Sequence, residues 1–174
     1  MVSFASLESV APTVAAFLRL RIETTGLCML GTTRSDGWPR VSPIELSIVG
    51  GSLYVGSMPD AVKVRDLRRD PRCCVITPLA DKDDLAGEGK AFCRAHEVTE
   101  VAEWERVRAA FHDKTGFDIG DPGGSHIFGL EIESAAWQRV EGDDWRTTSW
   151  SAAEGVRERV RHGPLGESLD ISGP

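Results

Sequence analysis

No apolar run in the 174-residue chain approaches the roughly 18 residues of a transmembrane span, so no membrane partner is expected. The opening MVSFASLESV has neither a basic stretch nor a long apolar one, and no signal peptide is expected there. Positive charge is scarce. Lys and Arg number 20 against 27 Asp and Glu, for a net charge of −7. That balance argues against binding a nucleic-acid backbone. No CxxC pair occurs among Cys28, Cys73, Cys74 and Cys93, which argues against a zinc site. Adjacent Cys73 and Cys74 would point to opposite faces of a strand. Free, buried thiols in a reducing cytoplasm are expected. The four histidines, His96, His112, His126 and His162, are scattered, whereas a metal needs converging ligands. No GxSxG elbow or internal repeat is present.

What remains is a globular chain, 41% apolar and 27% charged, a balance suited to burying one core. Val10, Val14, Phe17, Leu18 and Ile22 recur at helical spacing and predict a helix over 11–22, with Pro12 in its first turn. Strands are expected at 27–33 and 39–49, joined by a turn at Asp36-Gly37. Pro43 lies inside the second strand and demands an edge, a bulge or an unpaired amide. Gly50-Gly51 suits a two-residue hairpin. A strand through Tyr54-Val55-Gly56-Ser57 then leads to a short helix beginning near Asp60, with Lys63 in its first turn.

Cys73–Ile76 is apolar without alternation, which predicts a strand buried on both faces. After an exposed loop at 81–84, a strand is expected over 90–98. Thr99 is placed to cap a helix over 100–113 that presents Val101, Trp104, Val107 and Phe111 on one face. A long strand over 127–140 and a turn at 142–144 lead into a strand over 145–150. The pattern fades after Ser151, and the last dozen residues read as a flexible tail. The run Arg157–Arg161 reads as a solvated face. Six or seven short strands with few helices predict an α+β, mainly β fold: an antiparallel barrel over 1–150 with peripheral helices, and a C-terminal extension over 151–174.

At four places the chain resembles a known family. These are Asp36-Gly37-Trp38-Pro39, Val41-Ser42-Pro43, Leu53-Tyr54-Val55, and the run from Lys63 to Pro71 that reads KVRDLRRDP. Together, in this order, they resemble the flavin-binding split β-barrels related to pyridoxamine 5'-phosphate oxidase. The resemblance implies an antiparallel split barrel, FMN as cofactor, hydride or electron transfer to a small-molecule substrate, and a homodimer with the cofactor at the interface. Alternatives within its reach are a reductase using the 8-hydroxy-5-deazaflavin coenzyme and a non-catalytic flavin or haem binder.

The resemblance also implies site residues. Lys63, with Ser57, Gly56 and amides near Ala61, would hold a phosphate at the start of a helix. Arg40, Ser42, Pro43, Ile44 and Glu45 would run beside the ring, and Glu88 would reach its edge. Glu45 is equally readable as an outward-facing strand residue. Three positions depart from the oxidase: Ser42 and Ser47 replace an arginine and a substrate-contacting lysine, and Val62 replaces an arginine. Oxidation of pyridoxamine phosphate itself is therefore not expected. Trp38, Trp137, Trp145 and Trp150 either line a planar-ring pocket or pack in the core or a dimer interface.

Overall fold

The computed structural model describes residues 1–116, 118–163 and 165–172. Nine strands, β1 (Leu27–Thr33), β2 (Pro39–Val49), β3 (Ser52–Ser57), β4 (Arg72–Ile76), β5 (Glu88–Glu97), β6 (His126–Glu141), β7 (Asp144–Ser151), β8 (Gly155–His162) and β9 (Ser168–Asp170), form one antiparallel sheet in the order β3-β2-β1-β4-β5-β6-β7-β8-β9, and β3 also pairs with β6. The first six strands in that order therefore close on themselves as a barrel. The sheet continues beyond it through β7 (Asp144–Ser151), β8 (Gly155–His162) and β9 (Ser168–Asp170). No helix among the described residues is long and apolar enough to cross a membrane.

Local sequence sets the early registers. In the β1–β2 pair, strands Leu27–Thr33 and Pro39–Val49 run from Leu27↔Glu45 to Thr33↔Pro39. Gly37 holds φ +83° in their turn. Strand β3 (Ser52–Ser57) returns after Gly50 and Gly51, both at positive φ as a primed hairpin turn requires. It pairs with β2 only from Leu46 to Val49. Pro43 thus pairs with Met29 on one side and sits on a stretch of β2 free of β3 on the other. The missing proline amide is accommodated by an edge, not by a bulge.

Strand β6 (His126–Glu141) has two roles. Its first half pairs with β3 from Ser57↔His126 to Leu53↔Leu130 and closes the barrel. Its second half pairs with β7 and carries the outer sheet. Along its other edge it pairs with β5 (Glu88–Glu97), with a register shift between Phe92 and Cys93. The sequence pattern missed β8 and β9 because their few apolar residues, Val156, Val160 and Leu169, build no buried face: β8 is mostly exposed and β9 wholly so.

Helices close the two cores. α1 (Phe4–Val10) and α2 (Pro12–Thr25) bury Phe4, Leu7, Val14, Leu18 and Ile22 in the main cluster with Cys28, Leu30, Leu46, Leu53 and Leu130. α1 was not foreseen; its cap is Ser3, which accepts from the Ser6 amide. α4 (Val101–Thr115) lays Trp104, Val107 and Phe111 over Val49, Tyr54 and Ile127 in a second cluster. Two expectations for α4 are corrected. Glu100, not Thr99, caps it by accepting from the Glu103 amide, and Val101 is 63% exposed because it precedes the turn that meets the sheet. A third correction concerns β4 (Arg72–Ile76). Cys73 and Val75 are buried, but Cys74 and Ile76 are only half-buried, so the strand faces the core on one side. All four cysteines are free thiols. Burial pushes the Cys28 thiol up to about 11 and Cys73 to about 12, so neither is a ready nucleophile.

The tryptophans divide. Trp150 is in the main core, Trp137 stacks on Phe17 at 4.8 Å, Trp104 is buried under α4, and Trp38 is 69% exposed. Trp145 is partly exposed on the outer sheet. They do not form one ring pocket.

Glycines at two turns allow a graded test of the fold. Gly37 (φ +83°) has open space where a Cβ would lie, whereas a Cβ on Gly87 (φ +84°) would fall 1.7 Å from the Gln138 carbonyl oxygen. Gly37→Ala should cost only the left-handed backbone penalty of about 1–2 kcal/mol. Gly87→Ala adds a backbone collision and should cost clearly more. Urea denaturation of the two variants measures the difference; equal midpoints would contradict the packing of β5 against β6.

Candidate functional site

The largest convergence of the expected site residues lies where the open part of β2 meets the end of β3. A cavity of about 320 Å³ is lined there by Pro43, Ile44 and Glu45 from β2, Gly56 and Ser57 from β3, Met58 and Pro59, and Lys63. Phe111 of α4 and the loop through Asp118, Ile119, Gly120 and Ser125 form its other wall. Of the residues that the resemblance implied, Pro43, Ile44, Glu45, Gly56, Ser57 and Lys63 meet around one space. Glu45, readable two ways in sequence, lines it.

The others lie elsewhere. Arg40 donates from Nε to Asp66 Oδ2 at 2.6 Å. Ser42 is half-buried and paired with Leu30. Ala61 is the N-cap residue of α3 (Val62–Arg69). Glu88 pairs with Lys90 at 2.6 Å and lines a different cavity. Ser47 faces a third cavity, of about 190 Å³, with Glu23 and Lys114. The loop over 118–125 was not foreseen as a wall; its only sequence signal is its Asp/Gly content.

The position of α3 rests on Asp66, a carboxylate 3% exposed. Besides Arg40, it accepts from Thr32 Oγ1 at 3.1 Å, and Arg69 lies 3.5 Å away. Arg69 in turn donates to the Thr33 carbonyl. One buried charge thus ties α3 to β1 and β2 together. Burial pushes the Asp66 carboxyl up, but the bonds from Arg40 and Thr32 and the charges of Arg40 and Arg69 together outweigh it and hold it below the usual aspartate range.

Inside the cavity the polar groups are few and unmatched. Ser57 Oγ is buried and has no hydrogen-bond partner. Lys63 makes no ion pair among the described residues, and burial lowers its ammonium below the usual lysine value. No side chain caps α3: the Val64 amide donates to the Ala61 carbonyl at 3.0 Å, and the amides of Val62 and Lys63 have no partner among the described residues. The nearest acid on the loop, Asp118, is already engaged: Arg108 donates to both its oxygens at 2.7 Å and holds its carboxyl well below the usual range. A hydroxyl, an uncompensated ammonium and open helix amides are what a bound anion satisfies.

The histidines stand apart from this cavity. His126 lies 2.9 Å from Glu97, which Arg68 also holds, and the bond from Arg68, more than that from His126, keeps the Glu97 carboxyl low. His162 contacts Asp144 at 2.9 Å on the outer sheet. No cluster of three metal-ligating side chains occurs among the described residues.

The pyridoxamine 5'-phosphate oxidase family model matches residues 13–138, which contain the whole barrel but the last three residues of β6. A comparison with curated proteins found no match. Among solved structures, a haem binding protein from Mycobacterium smegmatis is 21% identical with a TM-score of 0.61, covering 78% of this chain and 57% of its own. ChuZ from Campylobacter jejuni is 13% identical with a TM-score of 0.68, covering 90% of this chain and 65% of its own. A protein of the pyridoxinephosphate oxidase family from Clostridium acetobutylicum is 14% identical with a TM-score of 0.60, covering 79% and 93%. The chain spans less than two thirds of the first two proteins, and at these identities the likeness is one of fold.

Asp66→Asn should lower stability by roughly 1.5–3 kcal/mol, the range for a hydrogen bond to a charged group. The parent gains this stability at pH values above the ordinary aspartate value of about 3.9. It loses it as the pH falls through the lower folded-state value, where Asp66 takes up a proton. The difference between parent and variant should therefore shrink in acid. Denaturation midpoints between pH 7 and pH 2 measure this; a constant difference would remove Asp66 from its role.

Proposed function

We propose, for a chain that belongs to the pyridoxamine 5'-phosphate oxidase family, that the cavity between β2 and α3 binds FMN and that the protein is a flavin-dependent oxidoreductase acting on a small molecule. The observation that carries this reading is the pairing of a buried, partnerless Ser57 Oγ with the partnerless, half-desolvated Lys63 beside open helix amides. A phosphate monoester satisfies all three. Its negative charge also offsets the effect of burial on the Lys63 ammonium.

Pro43, Ile44, Met58, Pro59 and Phe111 give the planar part of the cofactor an apolar wall to lie against. When bound, the flavin supplies the hydride or electron transfer. The chain's own residues hold its phosphate, through Lys63 and Ser57, and orient its ring along β2. Glu45, on the cavity wall with no assigned partner, is the side chain placed to meet the ring edge or a substrate. Of the other cofactors, the 8-hydroxy-5-deazaflavin coenzyme shares the phosphate chemistry and fits the same cations. Haem, the ligand of the Mycobacterium smegmatis neighbour, finds no histidine on this cavity wall. Ser47, turned into another cavity, and the replacements at Ser42 and Val62 leave the site without the cations of a pyridoxamine phosphate oxidase.

We further propose a homodimer with the cofactor at the interface. Leu27, Val41 and Trp38, at 51%, 63% and 69% exposure, lie on β1, on β2 and at their turn, beside Pro43. An exposed apolar set of this size is a normal mark of an interaction surface.

Titration of apo protein with FMN, deazaflavin coenzyme and haem, followed by absorbance, tests the cofactor. FMN should bind most tightly, and Lys63→Ala should weaken it by about one to two decades, the equivalent of roughly 1.5–3 kcal/mol for a charge-assisted bond, without altering the melting curve of the apo protein. Equal FMN affinity in variant and parent would remove the phosphate assignment.

Light scattering with absorbance tests the assembly. A mass twice 18.9 kDa is expected, and Val41→Glu should yield monomer with reduced FMN content. A monomer that still holds one flavin per chain would exclude the interfacial site.

A further inference from the structure

We infer that the outer sheet carries a second binding site, formed by β6, β7 and β8, for a small aromatic acid: a planar apolar ring bearing an anionic head. It shares no lining residue with the cavity at Lys63 and does not rest on the flavin reading.

The argument begins with the scarcity of free positive charge. Of the 20 lysines and arginines, all but Lys63, Arg65, Arg159 and Arg161 have a carboxylate, hydroxyl or carbonyl partner among the described residues. In a chain with excess acid this is selective. One unpaired couple belongs to α3, where Lys63 lines the first cavity. The other lies on β8.

Strand geometry explains how β8 presents it. Alternate residues of Arg157-Glu158-Arg159-Val160-Arg161 point to opposite faces. Glu158 faces one side, where Arg139 and Arg146 hold it at 3.3 Å. Arg157, Arg159 and Arg161 face the other. Asp170 of β9 takes Arg157, leaving Arg159 and Arg161 over. The run that reads in sequence as a uniform solvated face is thus divided by the pleat into a neutralised side and a cationic one.

The register then brings complementary groups to the cationic side. Arg159 pairs across with Thr147, which pairs with Gln138, and Arg161 pairs with Trp145 and Ser168. These six residues line one concavity of about 130 Å³. It offers two guanidinium groups, two hydroxyls and an amide to an anionic head, and guanidinium forks match phosphate and carboxylate oxygens in pairs. Gln138 and Trp145 also line the adjoining cavity of about 340 Å³, whose other walls include Leu79, Leu85 and Val140. Trp145, 45% exposed between the two, gives a planar ring a face to stack on. An anionic head on Arg159 and Arg161 with its ring turned toward Leu79 and Val140 fills both spaces at once.

Phenyl phosphate is the probe, titrated calorimetrically into the full chain, with inorganic phosphate and phenol as its two halves. Phenyl phosphate should bind at least tenfold more tightly than either half. The double variant Arg159→Gln, Arg161→Gln should lose at least tenfold in affinity, and Trp145→Ala several-fold. Neither change removes a described contact, so melting curves should match the parent. Lys63→Ala should weaken FMN and remove only the phenyl phosphate binding that the first cavity contributes, leaving a site whose affinity the arginine pair sets, which separates this site from the first. Unchanged affinity in the double arginine variant, loss of all binding in Lys63→Ala, or inorganic phosphate binding as tightly as phenyl phosphate would each overturn the inference.

Discussion

The site described above depends on a single buried carboxylate. Asp66 sits on a short helix of low intrinsic stability: eight residues lie below the length at which a helix persists in water without packing. Its apolar contribution is only Val64 and Leu67. What fixes its axis is one charge shared between a strand hydroxyl, Thr32, and a strand guanidinium, Arg40. The helix N-terminus and Lys63 point where they do because Asp66 is held from below. The arginine that the family resemblance assigns to the cofactor is thus the one that places the lysine. Arg40 is bonded to Asp66 of α3 and does not line the cavity.

The barrel itself was largely legible in the sequence, for local reasons. The turns at Gly37 and at Gly50-Gly51 need positive φ, and glycine at those positions announces it. Pro43 announced an edge, a bulge or an unpaired amide, and the register of β2 against β3 decides for the edge. The alternation of Phe128, Leu130 and Ile132 identified the strand that closes the barrel. The failures are equally physical. Thr99 and Glu100 both offer a side-chain oxygen, and which of them caps α4 depends on where the chain leaves β5, a tertiary matter. β8 carries only Val156 and Val160 among charged residues and buries neither, so no apolar alternation marks it. Cys73–Ile76 looks uniformly apolar, yet burial follows its position in the sheet and not its composition.

The candidate cavity was half legible. The residues on β2, β3 and α3 are close in sequence and in a recognisable order, so a reader can assemble them. The opposite wall, Phe111 and the loop over 118–125, comes from far along the chain and carries no motif. The cationic face of β8 was legible in neither sense. It exists only because the pleat separates Arg159 and Arg161 from Glu158 and because Asp170 satisfies one arginine of three. Charge that cancels in a composition count need not cancel on a surface.

The pairing of β3 with β6 has a consequence for the order of assembly. The β1–β2–β3 meander is joined by tight turns and needs little chain entropy to form. The β3–β6 seam joins Ser57 to His126 across almost seventy residues, the kind of non-local contact that a chain makes slowly. The cavity straddles that seam: Ser57 is on one lip and Ser125, the neighbour of His126, on the other. The hairpins alone cannot offer it. A ligand that needs both lips recognises the zipped barrel and no earlier intermediate, so its binding energy is added wholly to the closed state. Occupancy of the cavity is then a latch on the slowest-made contact of the fold.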